Sequence, residues 1–391
     1  MTDKVWYPPT IPMNWMTFCA LFLIWAFISY GFLGKREKSK DVLAQHGLLG
    51  VLGALATMLL LTAFSFVPDD WSACRLSWSG GLLCGYKLYA GDAGPSNGFF
   101  YPPIGAWFYI PAAAIGFLFK SAQASLLLGW CMSLICILSP IIFLIWRLRN
   151  YLSNINDFLI CILIGLAFTL ALPQLRYLAT MVHVDSPAIL FLGICIVIVI
   201  PLCNEDNLLA ERMILGGMLF AFAALTKQSV WPIAPVLALG ITISYGFKSL
   251  IKFVLSFIAC IFLIITAVYL SGENFKEAYC MIWHWPMNQR SITPISECLK
   301  QTLILNFPLI FTLGVIYFAI VKLRLKLEKH SFWSPLFLIF CGIWMIPFSI
   351  LTRTKIGADS NHLAIPSYFF VLAILLLLTF VIHKSHELKS K

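Results

Sequence analysis

The chain has 391 residues, of which 60% are hydrophobic and 11% charged, and its mean hydropathy is +0.89. A soluble domain carries roughly a quarter charged residues, so this composition excludes a globule surrounded by water. The net charge of +10 fits basic cytoplasmic loops; with no soluble basic domain to carry it, it excludes nucleic-acid binding.

Apolar runs near the length needed to cross hydrocarbon recur throughout. They predict an all-α polytopic bundle of about eleven spans, at about 13–33, 47–67, 124–146, 158–173, 186–203, 212–226, 230–247, 250–270, 302–321, 332–351 and 364–383. The whole chain, 1–391, then forms one integral membrane domain. The first run, Met13 to Leu33, lacks a basic leader and a small-residue cleavage site and reads as a retained helix. The segment 104–119 is apolar but short, follows Pro102-Pro103 and ends at Lys120. Treated as juxtamembrane rather than crossing, it lets every basic cluster fall on one side. These are Lys35, Arg36, Lys38 and Lys40; Arg147 and Arg149; Arg212; Lys248 and Lys252; Lys322, Arg324, Lys326 and Lys329; and Lys384, Lys389 and Lys391. They make up 16 of the 27 Lys and Arg residues, so the N-terminus is expected outside and the C-terminus inside.

The outer face then holds a long loop at 68–123, a short one at 173–185, a turn from Thr226 to Trp231, a second long loop at 271–301 and a last loop at 352–363. The first opens on Asp69-Asp70. A carboxylate at the edge of a low-dielectric cavity suits general-base work on a hydroxyl; an acid there also caps a following segment. Asp185, in Val184-Asp185-Ser186-Pro187, reads equally as a helix N-cap and as a site carboxylate. Lys227 and Gln228 sit in a turn where a lysine either snorkels or holds an anionic headgroup. The last outer loop carries Arg353, Lys355, Gly357, Asn361 and His362, a set suited to a phosphate or pyrophosphate. Tyr279, Trp283, His284 and Trp285 form either an interfacial belt or a stacking platform. His183, His284 and His362 lack the spacing of metal ligands. The twelve cysteines show no CxxC; Cys74–Cys84 and Cys280–Cys298 are candidate disulfides if those loops face an oxidising compartment, and free thiols otherwise.

In order, these features resemble the polytopic GT-C glycosyltransferases, especially the bacterial dolichyl-phosphate-mannose and aminoarabinose transferase relatives. Asp69-Asp70, Gly85 to Tyr89, Tyr101-Pro102-Pro103, Asp185, Thr226-Lys227-Gln228 and Lys355 to His362 carry the match, which covers most of the chain after the first span. The family's acidic pair is Asp-Glu, so either Asp69 or Asp70 matches its base. The extra N-terminal span and the lack of a C-terminal soluble domain are further departures. The resemblance implies inverting transfer of a sugar from a polyprenyl-phosphate donor to a glycan, lipid or protein acceptor at the outer face of a bacterial inner membrane. It implies Asp70, Asp69 and Asp185 as catalytic carboxylates. It also implies Lys227, Gln228, Arg353, Lys355, Asn361, His362 and Tyr101 as donor contacts, and admits a divalent ion, Mg or Mn. Two alternatives stand beside it. A polymerase or ligase of lipid-linked polysaccharide would favour a long arginine-rich outer loop. A lipid or sugar transporter (flippase) would favour mid-membrane charges and broken repeats.

Overall fold

The computed structural model describes residues 54, 70–89, 99–152, 155–202, 209–284, 293–322, 329–354 and 360–389. The expected spans at 13–33 and 47–67 lie outside them, apart from Ala54. The described chain is a helical bundle: α1 (Asp70–Leu83), α2 (Ile104–Phe108), α3 (Ile110–Leu118), α4 (Ala122–Arg147), α5 (Ile155–Ala171), α6 (Pro173–Thr180), α7 (Asp185–Val199), α8 (Leu209–Ala224), α9 (Ala234–Tyr245), α10 (Phe247–Leu270), α11 (Phe275–Tyr279), α12 (Ile295–Lys322), α13 (Lys329–Arg353) and α14 (Ala364–Lys389).

The expected number of crossings is corrected. Among the described residues 5 helices are long and apolar enough to span a membrane, or up to 6 if the bent pair α5–α6 counts as one. The runs read as spans at 186–203, 212–226 and 230–247 hold helices of 15, 16 and 12 residues. At about 1.5 Å per residue none reaches the roughly 30 Å of a hydrocarbon core. The apolar runs are longer than the helices because their ends are spent on turns: Ile200-Pro201 after α7, a 3-10 helix over Gln228–Ile233, and Gly246 at φ +80 between α9 and α10.

Pro173 explains the bent pair. Its ring cannot continue the hydrogen-bond ladder, and it pushes Leu172 to an extended φ −80, ψ 119. The chain turns by 89° there, so α6 occupies what the sequence reads as the 173–185 loop. The 104–119 segment is two helices, not one: α2 and α3 break at Tyr109, whose hydroxyl bonds Ser133 Oγ at 2.7 Å and donates to His183 O at 2.9 Å. Neither is long enough to cross. The first loop also begins as a helix, α1, closed by Gly85 at φ +81. Cys74 and Cys84 are therefore about 15 Å apart along a helical path, too far for a disulfide. All four loop cysteines are free.

α14 is the centre of the bundle, 83% buried over its most apolar stretch, against 22% for α10 and 17% for α12. The outer helices leave Leu255, Phe262, Phe307 and Phe318 exposed, as a lipid-facing surface requires. At one end of the bundle, Arg147 and Arg212 cap α7's last carbonyls. Arg147 donates to Val197 O, and Arg212 donates to Ile198 O (2.8 Å), Ile200 O (3.1 Å) and the Tyr245 hydroxyl (3.2 Å). Cations there also complement the helix dipole.

Close approach of α8 and α10 depends on Gly217, where a Cβ would run into the main-chain oxygen of Phe253. Gly217→Val is expected to lower stability by about 1–3 kcal/mol through overpacking. Gly314→Ala, with open space around it, should not; thermal unfolding in lipid nanodiscs compares the two.

Candidate functional site

At the end of the bundle opposite Arg147 and Arg212, the sequence-expected outer segments converge. Leu88, Tyr89, Phe99, Val184, Ala278 and Met281 share one apolar cluster. Glu273 ties this cap together: its carboxylate accepts the consecutive amides of Leu88 (2.7 Å) and Tyr89 (2.9 Å). Tyr89 in turn donates its hydroxyl to Tyr101 O at 2.7 Å.

Beneath this cap lies a buried ion pair. Asp185, at the first turn of α7 and 1% exposed, is paired with Lys227, 4% exposed, at the turn after α8. The amide and the carboxylate of Asp185 both meet His183 Nδ1, at 3.1 and 3.2 Å. Burial alone would raise the Asp185 pKa, but Lys227 and then His183 outweigh it and hold the acid ionised, below the usual carboxylate range. Asp185 does not cap α7 through its side chain. Committed to a buried cation, it is a poor base.

α1 positions this turn. Ser72 Oγ accepts the Val182 amide at 3.2 Å, and Arg75 Nη1 donates to Val182 O at 3.0 Å. The Arg75 charge reaches His183, Lys227 and Tyr101. Tyr101 is half-buried, desolvation pushes its phenol up, and it lies within electrostatic reach of Arg75, Asp185, Tyr177 and Cys74. Asp70 is the first residue of α1, one turn before Cys74; its side chain lies outside the described residues, as do Asp69, Lys355 and the Asn361 side chain.

The last connection comes to the same place. His362 feels Lys227, Asp185, His183 and Arg353. Arg353 donates to Gln301 Oε1, and Gln301 donates to Glu297 at 2.8 Å. Arg353 Nη1 and His362 Nδ1 are buried with no hydrogen-bond partner among the described residues. Lys227, Arg75 and Arg353 thus gather near the Asp185 carboxylate, with Glu297 reached from Arg353 through Gln301. Burial, followed by the Arg75 charge, lowers His183 from 6.5 to about 4, and burial, followed by Lys227, lowers His362 to about 3. Both rings are neutral at neutral pH.

Of the expected site residues, Asp185, Lys227, Gln228, Arg353, His362 and Tyr101 are brought to one end. Arg75, Tyr177 and His183 join them without having been singled out as site residues. An arginine five residues after Asp70, on the outer side where cations are disfavoured, is the signal that could have found Arg75. The divalent ion implied by the resemblance fits this set poorly. Among the described residues no three His, Cys, Asp or Glu side chains gather as ligands, and Asp185 is surrounded by cations and imidazoles.

Beside the site is a cavity of about 440 Å³, walled by Tyr89, Pro103, Trp231, Ile264, Tyr279 and Trp283 among others. It is apolar, and Ile261, Ile264, Ile265 and Val268 of α10 form one wall.

No family model, curated protein or solved structure matches the chain.

Removing one partner of the ion pair strands the other. Lys227→Met is expected to cost about 3–5 kcal/mol, and the double variant Asp185→Asn/Lys227→Met to recover much of that; thermal unfolding of the three proteins reads the coupling. The depressed histidines set a pH dependence. Below about pH 6.5 the unfolded chain takes up protons that the folded imidazoles refuse. Stability should therefore be full above that pH and fall as pH drops toward 4, less steeply in His362→Gln.

Proposed function

We propose that the chain is a membrane glycosyltransferase of the kind its sequence resembles, moving a sugar from a polyprenyl-phosphate donor to an acceptor at the extracytoplasmic face. The observation that carries the reading is the pair of buried nitrogens, Arg353 Nη1 and His362 Nδ1, with no hydrogen-bond partner among the described residues, beside Lys227. A buried guanidinium N–H without an acceptor is costly. A phosphate supplies acceptors and charge together, and arginine suits its geometry. The apolar cavity beside the cluster accommodates the first part of a prenyl chain while the headgroup meets the polar end. The basic end with Arg147 and Arg212 faces the cytoplasm under the positive-inside rule, which puts the cluster outside.

In the proposed reaction Asp70 takes the acceptor hydroxyl proton as that oxygen bonds to the anomeric carbon. The bond from this carbon to the phosphate oxygen breaks, and its electron pair leaves with the prenyl phosphate. A single displacement inverts the anomeric centre. Charge developing on the leaving phosphate is met by Arg353 and Arg75, donors fixed in a water-poor site. Lys227 contributes less than the sequence suggests, because Asp185 already neutralises it. Asp185 serves as the anchor that holds Lys227 and the His183 turn in place, which leaves the base to the Asp69-Asp70 pair, with Asp70 the residue proposed.

Purified protein incubated with a panel of prenyl-phosphate sugars and acceptors should consume at least one donor. Asp70→Asn should stay folded and lower turnover by about 10²-fold or more. Arg353→Gln should weaken donor capture by roughly tenfold or more. Near-normal turnover in the first variant would remove Asp70 from the chemistry, and unchanged donor affinity in the second would remove the phosphate from Arg353.

A further inference from the structure

The 3-10 helix Gln228–Ile233 carries two buried polar atoms that neither the fold nor the anion cluster uses. Gln228 Oε1 and Trp231 Nε1 have no hydrogen-bond partner among the described residues. Residues three apart eclipse one another in a 3-10 helix, so these two side chains stand on the same edge. Their other contacts agree. Gln228 Nε2 donates to Phe100 O at 3.2 Å and to Ile282 O at 3.4 Å, while the Trp231 ring meets Trp283 with centroids 6.3 Å apart. Both residues therefore face the 282–283 segment. Trp231, Ile282 and Trp283 wall the cavity, and Gln228 directly follows Lys227 of the ion pair.

The orientation of the amide is determined by its neighbours. Both partners of Nε2 are carbonyl oxygens, so the nitrogen must face them and the oxygen is left over. An indole N–H can only donate, and an amide oxygen can only accept. A hydroxyl can satisfy both kinds of atom, accepting from Trp231 and donating to Gln228. An ammonium reaches Gln228 Oε1 but leaves the indole unsatisfied. An ether or a carboxylate reaches the indole but leaves the amide unsatisfied. We propose that Gln228 and Trp231 jointly read a hydroxyl group of the ligand's headgroup, and so select a sugar with a neutral hydroxyl at that position over one bearing an amine there. This rests on the cavity being the donor's site and specifies the donor's chemistry.

The test is equilibrium binding to the full chain in lipid nanodiscs, with turnover left aside. The probes are a prenyl phosphate, a prenyl-phosphate hexose, and a series of the latter with each ring hydroxyl replaced in turn by an amine. In the wild type, one replacement should weaken binding by about tenfold or more, the effect of stranding one buried donor. In Trp231→Phe, which keeps an aromatic ring and removes the N–H, that penalty should shrink to within about twofold when each probe is referred to the same variant's binding of the unsubstituted hexose. Gln228→Leu should weaken the hexose by a larger factor than the bare phosphate. Equal binding of the whole series in the wild type overturns the proposal while leaving the donor site standing. The same holds if the penalty persists in Trp231→Phe. Failure of every probe, the bare phosphate included, overturns the donor site as well.

Discussion

Two opposite charges, Asp185 and Lys227, are nearly out of contact with water in a chain of which only 11% is charged. Each loses several kcal/mol of hydration on burial, and their mutual attraction offsets this only if geometry and neighbouring polar groups are right. The neighbourhood is arranged accordingly. Ser72 and Arg75 hold both polar groups of the Val182 peptide, His183 meets Asp185 twice, and the Ile104 amide donates to Leu225 O at 3.1 Å, just before Lys227. The pair joins the start of α7 to the end of α8, while α1, α2 and the last connection pack around it. Loss of one partner would leave the other charge buried and unpaired where these segments meet.

The two ends of α7 divide the labour. Its C-terminal carbonyls are taken by Arg147 and Arg212, and just beyond the helix Tyr151 donates to Leu202 O at 2.6 Å. At that end charge and hydrogen bonding close upon themselves, and the arginines are structural. At the other end Asp185 complements the positive pole of the helix, and the polar accounting is left open. Arg353, His362, Gln228 and Trp231 each keep a buried atom unpartnered among the described residues. Native interiors rarely tolerate such atoms without a use for them, and under the proposed function this end is where the donor would sit.

Much of this was legible in sequence. Apolar runs located the helices, and the basic clusters showed that 104–119 should not cross. The segments holding Asp185, Lys227, Arg353 and His362 were placed on one face, where they meet. The crossing number was not legible, because a hydropathy run cannot distinguish helix from the apolar turns at Ile200, Val230 and Ile233. α1 was read as loop: Gly80-Gly81 and scattered polar residues give it no clear apolar stripe, and so Arg75 went unnoticed. Local pattern left Asp185 equally an N-cap and a site carboxylate, whereas its environment is set by Lys227, a partner remote in sequence. The leftover atoms on Gln228 and Trp231 are products of tertiary packing and have no sequence signature.

The most direct test is an experimental structure of the chain in nanodiscs with a bound prenyl phosphate. The phosphate is expected within hydrogen-bond distance of Arg353 and His362, with its chain entering the cavity beside Trp231 and Tyr279. A phosphate seated instead at the Arg147 and Arg212 end, or a cavity that stays empty while the lipid binds elsewhere, would contradict a donor site built around the Asp185–Lys227 pair.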